Sequence, residues 1–400
     1  MRKIDLNTKN NTLITASAVI GTIGLSVIPR AAVLILAVPV LWTLADSRYA
    51  AFSVVLAYKL TASRGFLPGA AVFLSENHTL SQAALLYSLM SFGASMPFLV
   101  FWSKERKIKA LCLILAFLFA YVLPPISLIG IISPLMASGA VFKGWGFVGI
   151  FAMIAIYVLC AVSKKSAYAF LCLIALFAVL PSDNWYEPSV SEGIMAVDTS
   201  FSKLGSGSFN FAQDYERANM VFDELNKRNI NQSSEKIVVL PETIAGRLND
   251  TGIKLWRDEI QRLLPDKVVV FGAELPTGDG RKYDNAVILL LDGEMSAVYQ
   301  RIPVPYSMYR GPFAEAGANL HLWDCGILAL PDGRKASVII CYEVFLTWPY
   351  LTSLIHSPDV IICAANLWWC KDTSLPVSHM RVASLWALTF GIPVVFAKNI

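Results

Sequence analysis

From residue 12 to about residue 181 the chain is a near-continuous succession of apolar runs, and no other feature limits its fold so strongly. Of the 400 residues, 56% are hydrophobic and only 16% charged, and the mean hydropathy is +0.56. Soluble domains usually carry charge on about a quarter of their residues. After residue 181 charged and polar residues return at ordinary globular density. The chain therefore reads as a membrane part, residues 1–185, followed by a water-facing part, residues 192–400. The second part is long enough for one sizeable core.

Crossing a bilayer takes about 20 apolar residues. The runs 81–102, 110–131, 146–162 and 167–181 are candidates, with shorter ones at 12–29, 31–45 and 50–63, giving six or seven helices. The last run carries Lys59. No small-residue cleavage site follows the first, which reads as a retained helix. Arg2, Lys3 and Lys9, the 104–109 loop with Lys104, Arg106, Lys107 and Lys109, and the Lys164–Lys165 pair mark the cytoplasmic side. Seven crossings then deliver the water-facing part to the periplasm of a bacterial inner-membrane protein. Pro124 and Pro125 break one run, which predicts a kink. Glu76 and His78 fall in an outer loop. The net charge of +4 lies mostly between apolar runs, so topology explains it and nucleic acid is not an expected partner. The seven cysteines show no metal-ligand spacing, and neither metal nor cofactor is expected.

The water-facing part alternates strand-like and helix-like segments. Strands are predicted at 193–201, 236–242, 267–275, 336–341, 359–366 and 393–399, with a hairpin over 285–300 turning at Asp292-Gly293. Helices are predicted at 212–229, 255–264, 345–355 and 377–390. The first of these has helical periodicity that puts Tyr215, Met220, Val221 and Leu225 near one face. This is an α/β layered pattern. Three of the strands end in reactive groups: Glu242 after "VVLP", Cys341 after "SVII" and Asn366 after "VIICAA". Ligand crevices in α/β sheets lie beyond the carboxyl ends of strands. A carboxylate beside a thiol can take its proton and leave a nucleophile. A cysteine that closes a buried strand is also often only a small hydrophobe, and that alternative stays open.

The ordered pieces "VVLPET", "VYQRIPVPY", "VIICYE" and "AANLWW" resemble the carbon–nitrogen hydrolase (nitrilase) superfamily. That resemblance implies an αββα sandwich with a Glu–Lys–Cys triad. A multi-helix membrane half before such a domain resembles apolipoprotein N-acyltransferase. The runs "LAVPVLWTLADSRYAAF" and "NLWWCKDTSLP" extend a closer resemblance, to the TraB family of plasmid conjugal transfer proteins, over nearly the whole chain. Carried over by position, the resemblance implies Glu242 as general base and Cys341 as nucleophile. Glu343 and Asn366 then flank the pocket. In a catalytic reading the aromatic residues Tyr306, Tyr309, Trp368 and Trp369 are expected to line an apolar pocket, simple packing being the alternative for the two tryptophans. The family lysine falls on Arg301, which keeps the charge but not the geometry. Met308 and Tyr309 stand where the acyltransferases show a loop glutamate, and Trp386 and Thr389 where the family shows an arginine and a glutamate. The family also runs on through strands beyond Asn399-Ile400, so the domain is expected to be short at its C-terminus.

Two functions follow from the resemblance. One is a membrane-anchored Cys-nucleophile amidase or N-acyltransferase working through a thioester, on a membrane lipid or an acyl or amide substrate. The other is a catalytically inactive relative serving as a membrane-tethered binding or assembly module among conjugation proteins.

Overall fold

The computed structural model describes residues 2–73, 80–201, 211–291 and 294–400. Glu76, His78 and the expected turn Asp292-Gly293 lie outside the described residues. The chain forms two compact units. One is Met1–Ser189 with Phe345–Trp348 and Cys370–Ile392; the other is Val190–Val344 with Pro349–Trp369 and Pro393–Ile400.

The first unit is helical. It contains α1 (Arg2–Gly24), α2 (Ala37–Leu44), α3 (Arg48–Ala62), α4 (Phe66–Phe73), α5 (Leu80–Val100), α6 (Arg106–Phe117), α7 (Gly146–Val162) and α8 (Lys164–Phe177). Hydroxyl caps set two of the starts: Ser47 Oγ accepts from Ala50 N at 3.2 Å, and Ser163 Oγ from Ser166 N at 3.3 Å. The run expected at 110–131 is not one helix with a kink. A π-helical turn over Leu118–Val122 follows α6, and at Pro124–Pro125 the chain leaves the helix. Proline lacks the N–H and drives its predecessor out of the helical region. The chain continues in 3-10 turns at Ile126–Leu128 and Pro134–Ala140. The run at 31–45 likewise divides into a 3-10 stretch, Pro29–Leu36, and α2. Among the described residues α5 is the one helix both long and apolar enough to cross a membrane. Two lysines in this unit are buried and partnered by neutral groups. Lys59 Nζ donates to the Ile131 carbonyl at 2.9 Å over the Tyr121 ring, and Lys109 Nζ to that of Thr43 at 3.0 Å over the Trp102 ring.

The second unit is built on two sheets. The first sheet holds β1 (Ile194–Ala196), β2 (Ile237–Val239), β3 (Val268–Thr277), β4 (Lys282–Leu291) and β5 (Glu294–Tyr299) in that order, with β6 (Gly317–Ala318) beside β4. Its first three strands are parallel and the next two antiparallel. Helices α9 (Phe211–Lys227) and α10 (Asp250–Leu263) cover one face. Asn249 starts α10, its Oδ1 accepting from Gly252 N at 2.9 Å. Val221, Phe222, Leu225 and Trp256 from the helices pack on Val269, Phe271 and Ile288 from the sheet, and Trp256 stacks on Phe271 at 4.5 Å. Successive side chains on a strand alternate faces, so Val270, Val287 and Leu289, also buried, point to the opposite side. The buried stripe of α9 differs from the expected one. Ala218, Val221, Phe222 and Leu225 face the core at i, i+3, i+4, i+7 spacing, while Tyr215 and Met220 are exposed.

The second sheet runs β10 (Val394–Asn399), β9 (Val360–Asn366), β8 (Lys335–Ile340) and β7 (Ile327–Ala329), parallel except for β7. At the sheets' edges Thr199 N donates to the Lys398 carbonyl and Ile400 N to that of Thr199, both at 2.9 Å. Helix α11 (Thr347–Leu354) lies on β8 through the Ser353 and Ser337 hydroxyls, 2.6 Å apart. Two sheets with helices outside them is the layered order the resemblance implies. Helix α12 (Leu375–Phe390), by contrast, is part of the first unit. Gly139 N donates to Thr389 Oγ1 at 3.0 Å, and a Cβ on Gly139 would stand 2.4 Å from Thr389 N.

Candidate active site

Glu242 follows β2 by three residues, across Leu240 and Pro241, and Cys341 immediately follows β8. The two belong to different sheets, and their side chains meet: the Cys341 thiol hydrogen-bonds the Glu242 carboxyl. Glu242 Oε1 also accepts from Asn285 Nδ2 at 2.7 Å, and Oε2 from the Asn366 backbone N–H at 3.0 Å. Burial disfavours the ionised form and pushes the Glu242 carboxyl up to about 7, against the pull of those hydrogen bonds. A carboxyl titrating near neutrality is suited to taking and returning a proton.

Local backbone geometry is unusual at Cys341 and beside Glu242. Cys341 has φ +47°, and Thr243, next to Glu242, has φ +52°. Left-handed conformations in non-glycine residues persist only where their surroundings impose them, and they cluster at functional sites. Glu242 is held from behind by β3: Gly272 N donates to the Pro241 carbonyl at 3.1 Å. A Cβ on Gly272 would lie 2.5 Å from both Glu242 Cα and Thr243 N, so glycine alone permits this approach.

Asn366 is a junction. Its Nδ2 donates to Thr243 Oγ1 at 3.1 Å, its Oδ1 accepts from Asn399 Nδ2 at 2.9 Å, and its carbonyl accepts from Trp369 Nε1 at 3.0 Å. Trp368 and Trp369, in the 3-10 turn Trp368–Cys370, are half-buried, whereas Tyr306, at φ +71°, is exposed.

Arg301 stands elsewhere than the resemblance leads one to expect of an oxyanion-binding cation. It is fully buried beside Glu343. Its guanidinium makes five contacts: Nε and Nη2 to Glu343 at 3.4 and 3.2 Å, Nη2 to the Val338 carbonyl, and Nη1 to the Pro349 carbonyl and Thr352 Oγ1 at 2.8 and 3.3 Å. An arginine has no further N–H to offer. Glu343 also accepts from the backbone N–H groups of Arg301, Ile302 and Ile340. The ion pair thus ties the end of β5 to the turn that carries Cys341. The residue of β5's continuation that enters the Glu242 cluster is the neutral Gln300: its Oε1 accepts from Asn285 Nδ2 at 2.8 Å, and its Nε2 donates to the Ile340 carbonyl at 3.1 Å. Gln300 and Asn285 escaped the sequence reading, which sought charge. The available signal was alternation, since neighbours 300 and 301 point to opposite sides.

No family model matches the chain. A probable conjugal transfer protein TraB from Sinorhizobium fredii is 30% identical over 393 residues, 97% of either chain. The conjugal transfer protein TraB of Agrobacterium fabrum is 29% identical over 411 residues, covering 97% of this chain and 92% of its own. An apolipoprotein N-acyltransferase from Rhizobium rhizogenes matches 73 residues at 34% identity, 18% of this chain and 14% of that one. Among solved structures, a variant of the Nesterenkonia AN1 amidase of the nitrilase superfamily overlaps 52% of this chain and 78% of its own, at 14% identity and a TM-score of 0.36, from which no detail of the site is carried over. Identity along nearly the full length of both chains decides the membership: this chain belongs to the TraB family of conjugal transfer proteins.

Proposed function

We propose that the protein is a multi-pass membrane enzyme of plasmid conjugal transfer that moves or hydrolyses an acyl group through a thioester on Cys341. The observation that carries this reading is the hydrogen bond between the Cys341 thiol and a buried Glu242 at the ends of strands from two sheets. In the reaction, Glu242 takes the thiol proton as Sγ attacks an amide or ester carbonyl carbon. It returns the proton to the departing amine or alcohol. Water or an amine, deprotonated by the same carboxylate, then attacks the thioester and releases Cys341 as the thiol. Asn366 and Asn285 orient Glu242, and the Arg301–Glu343 pair positions the cysteine turn without touching the reacting atoms. Trp368, Trp369 and Tyr306 border an apolar subsite for an acyl chain.

The membrane setting rests on composition and on exposure. Leu85 and Leu89 of α5, Val148, Phe151 and Leu159 of α7, and Leu173 and Leu176 of α8 are all exposed, which suits lipid rather than water. We place the first unit in the inner membrane as a multi-pass bundle and the second in the periplasm, among conjugation proteins.

A single experiment on the thiol tests the chemistry: alkylation of Cys341 in detergent-purified protein across pH, beside Glu242→Gln. Fast labelling at neutral pH that changes in Glu242→Gln is expected; slow labelling indifferent to Glu242 overturns the reading. One observation favours the inactive module instead: no lysine, arginine or histidine contacts Glu242 among the described residues. That second reading expects Cys341→Ala to support plasmid transfer as wild type does, whereas the catalytic reading expects transfer to collapse with protein levels intact.

A further inference from the structure

We propose that the Cys341–Glu242 site binds a primary ammonium group carried by its ligand, held between the Glu242 carboxylate and the carboxamide oxygen of Asn285. This deepens the catalytic reading above and rests on it.

Charge balance is the first ground. The other buried carboxylates of the second unit have cations: Glu343 has Arg301 at 3.2 Å, and Glu274 has Arg247 at 3.6 Å. Glu242 does not. Its partners are the Asn285 amide, the Asn366 backbone N–H and the Cys341 thiol, all neutral, and the charge acting on it is the like charge of Glu274. A buried carboxylate without a counter-charge is costly, and binding a cation relieves that cost. Gln300, on the far side of Asn285, supplies none, because both ends of its carboxamide are engaged by Asn285 and Ile340.

The second ground is independent of charge. Asn285 is 1% exposed, and its Oδ1 has no hydrogen-bond partner among the described residues. The orientation of the carboxamide is set by its neighbours: Nδ2 faces two acceptors, Glu242 Oε1 and Gln300 Oε1, so the nitrogen must lie on that side. A buried acceptor therefore remains unsatisfied on the same side chain that touches Glu242. Buried polar atoms in folded proteins are nearly always paired.

A single group meets both demands. An ammonium has one charge and three N–H donors and no acceptor, so it can donate to Glu242 and to Asn285 Oδ1 at once. A water molecule would fill Oδ1 but leave the charge. Beside Cys341 the bound cation also favours the thiolate. The proton passes from Sγ to Glu242, no bond to the ammonium breaks, and the ligand thereby completes the site that attacks it.

The test compares three methanethiosulfonates on detergent-purified full-length protein: aminoethyl (cationic), ethyl (neutral) and sulfonatoethyl (anionic). Each reacts with a thiolate to give a mixed disulfide and methanesulfinate. Labelling of the Cys341 peptide is followed by mass spectrometry, with exposed Cys325 as internal reference. Relative to Cys325, Cys341 should prefer the cationic over the neutral reagent by tenfold or more, and ethylammonium chloride should compete with the cationic reagent and erase that preference while ethanol does not. Gln300→Lys, which supplies the ammonium from the chain, should abolish the preference. Equal rates for all three reagents, unchanged by ethylammonium, would overturn the ammonium site while leaving a reactive Cys341 and the catalytic reading intact. A Cys341 inert to all three overturns both.

Discussion

At the scale of single residues, the pair Cys341–Glu242 and the pair Arg301–Glu343 do different work, and substitution separates them. The Glu242 carboxyl sits near 7 in the folded protein against 4.5 for an unburied glutamate. Between those values the folded state holds a proton that the unfolded state has released, so stability falls as pH rises from about 4.5 to about 7 and is flat above. The loss amounts to about 3 kcal/mol. Glu242→Gln should flatten this dependence, which thermal unfolding in detergent at pH 5 and pH 8 will show; an unchanged difference between the two pH values would mean that Glu242 does not titrate there. Reactivity of Cys341 should move the other way, rising through pH 7 as Glu242 becomes a base. The resemblance places the family lysine at Arg301, and a lysine there would preserve the charge. With five contacts and a buried carboxylate partner, Arg301→Lys is instead expected to behave as a stability variant. Losing one member of such a pair outright costs about 3–5 kcal/mol, and Arg301→Met should show that in its unfolding temperature. An Arg301→Met protein as stable as wild type but inactive would restore the catalytic role.

At the scale of elements, positions were easier to read than contacts. The strand ends carrying Glu242, Cys341 and Asn366 lie within a few residues of the expected places because apolar β-branched runs ending at a polar residue are a local signal. The buried face of α9 was misjudged because Tyr215 and Met220 are apolar yet exposed, and periodicity cannot tell an apolar residue on the surface from one in the core. Gly272 illustrates a requirement no local signal reveals. It looks like any glycine in a strand, but β3 must pass so close to Glu242 that a methyl group there would meet the Glu242 backbone. Gly272→Ala should therefore slow Cys341 alkylation at neutral pH several-fold while leaving the protein folded. Alkylation at the wild-type rate would show that β2 and β3 can part without disturbing the site.

At the scale of the whole molecule, the chain does not divide at a single point. Residues 345–348 and 370–392, far along the sequence, are counted with the helical unit. Thr389 shows how: its Oγ1 donates to the Leu385 carbonyl at 2.8 Å and accepts from Gly139 N. Gly139→Leu should thus destabilise the protein, read as a lowered unfolding temperature or faster proteolysis in detergent; wild-type resistance would mean that α12 holds by other contacts. The proposed orientation is checked with Cys325, exposed in the second unit. A membrane-impermeant maleimide should label it in spheroplasts without lysis, and labelling only after lysis would reverse the topology. By itself the sequence determined where the apolar density falls away, the strand–helix order of the second part and which strand ends carry Cys341 and Glu242, because hydropathy, periodicity and strand-end chemistry are local properties. The tertiary structure alone decided which side chains meet. It set Asn285 and Gln300 beside Glu242, turned Arg301 away onto Glu343, and gave α12 to the helical unit. Those outcomes depend on which face of each strand points inward and on which backbones can approach, and both are settled only when distant segments pack together.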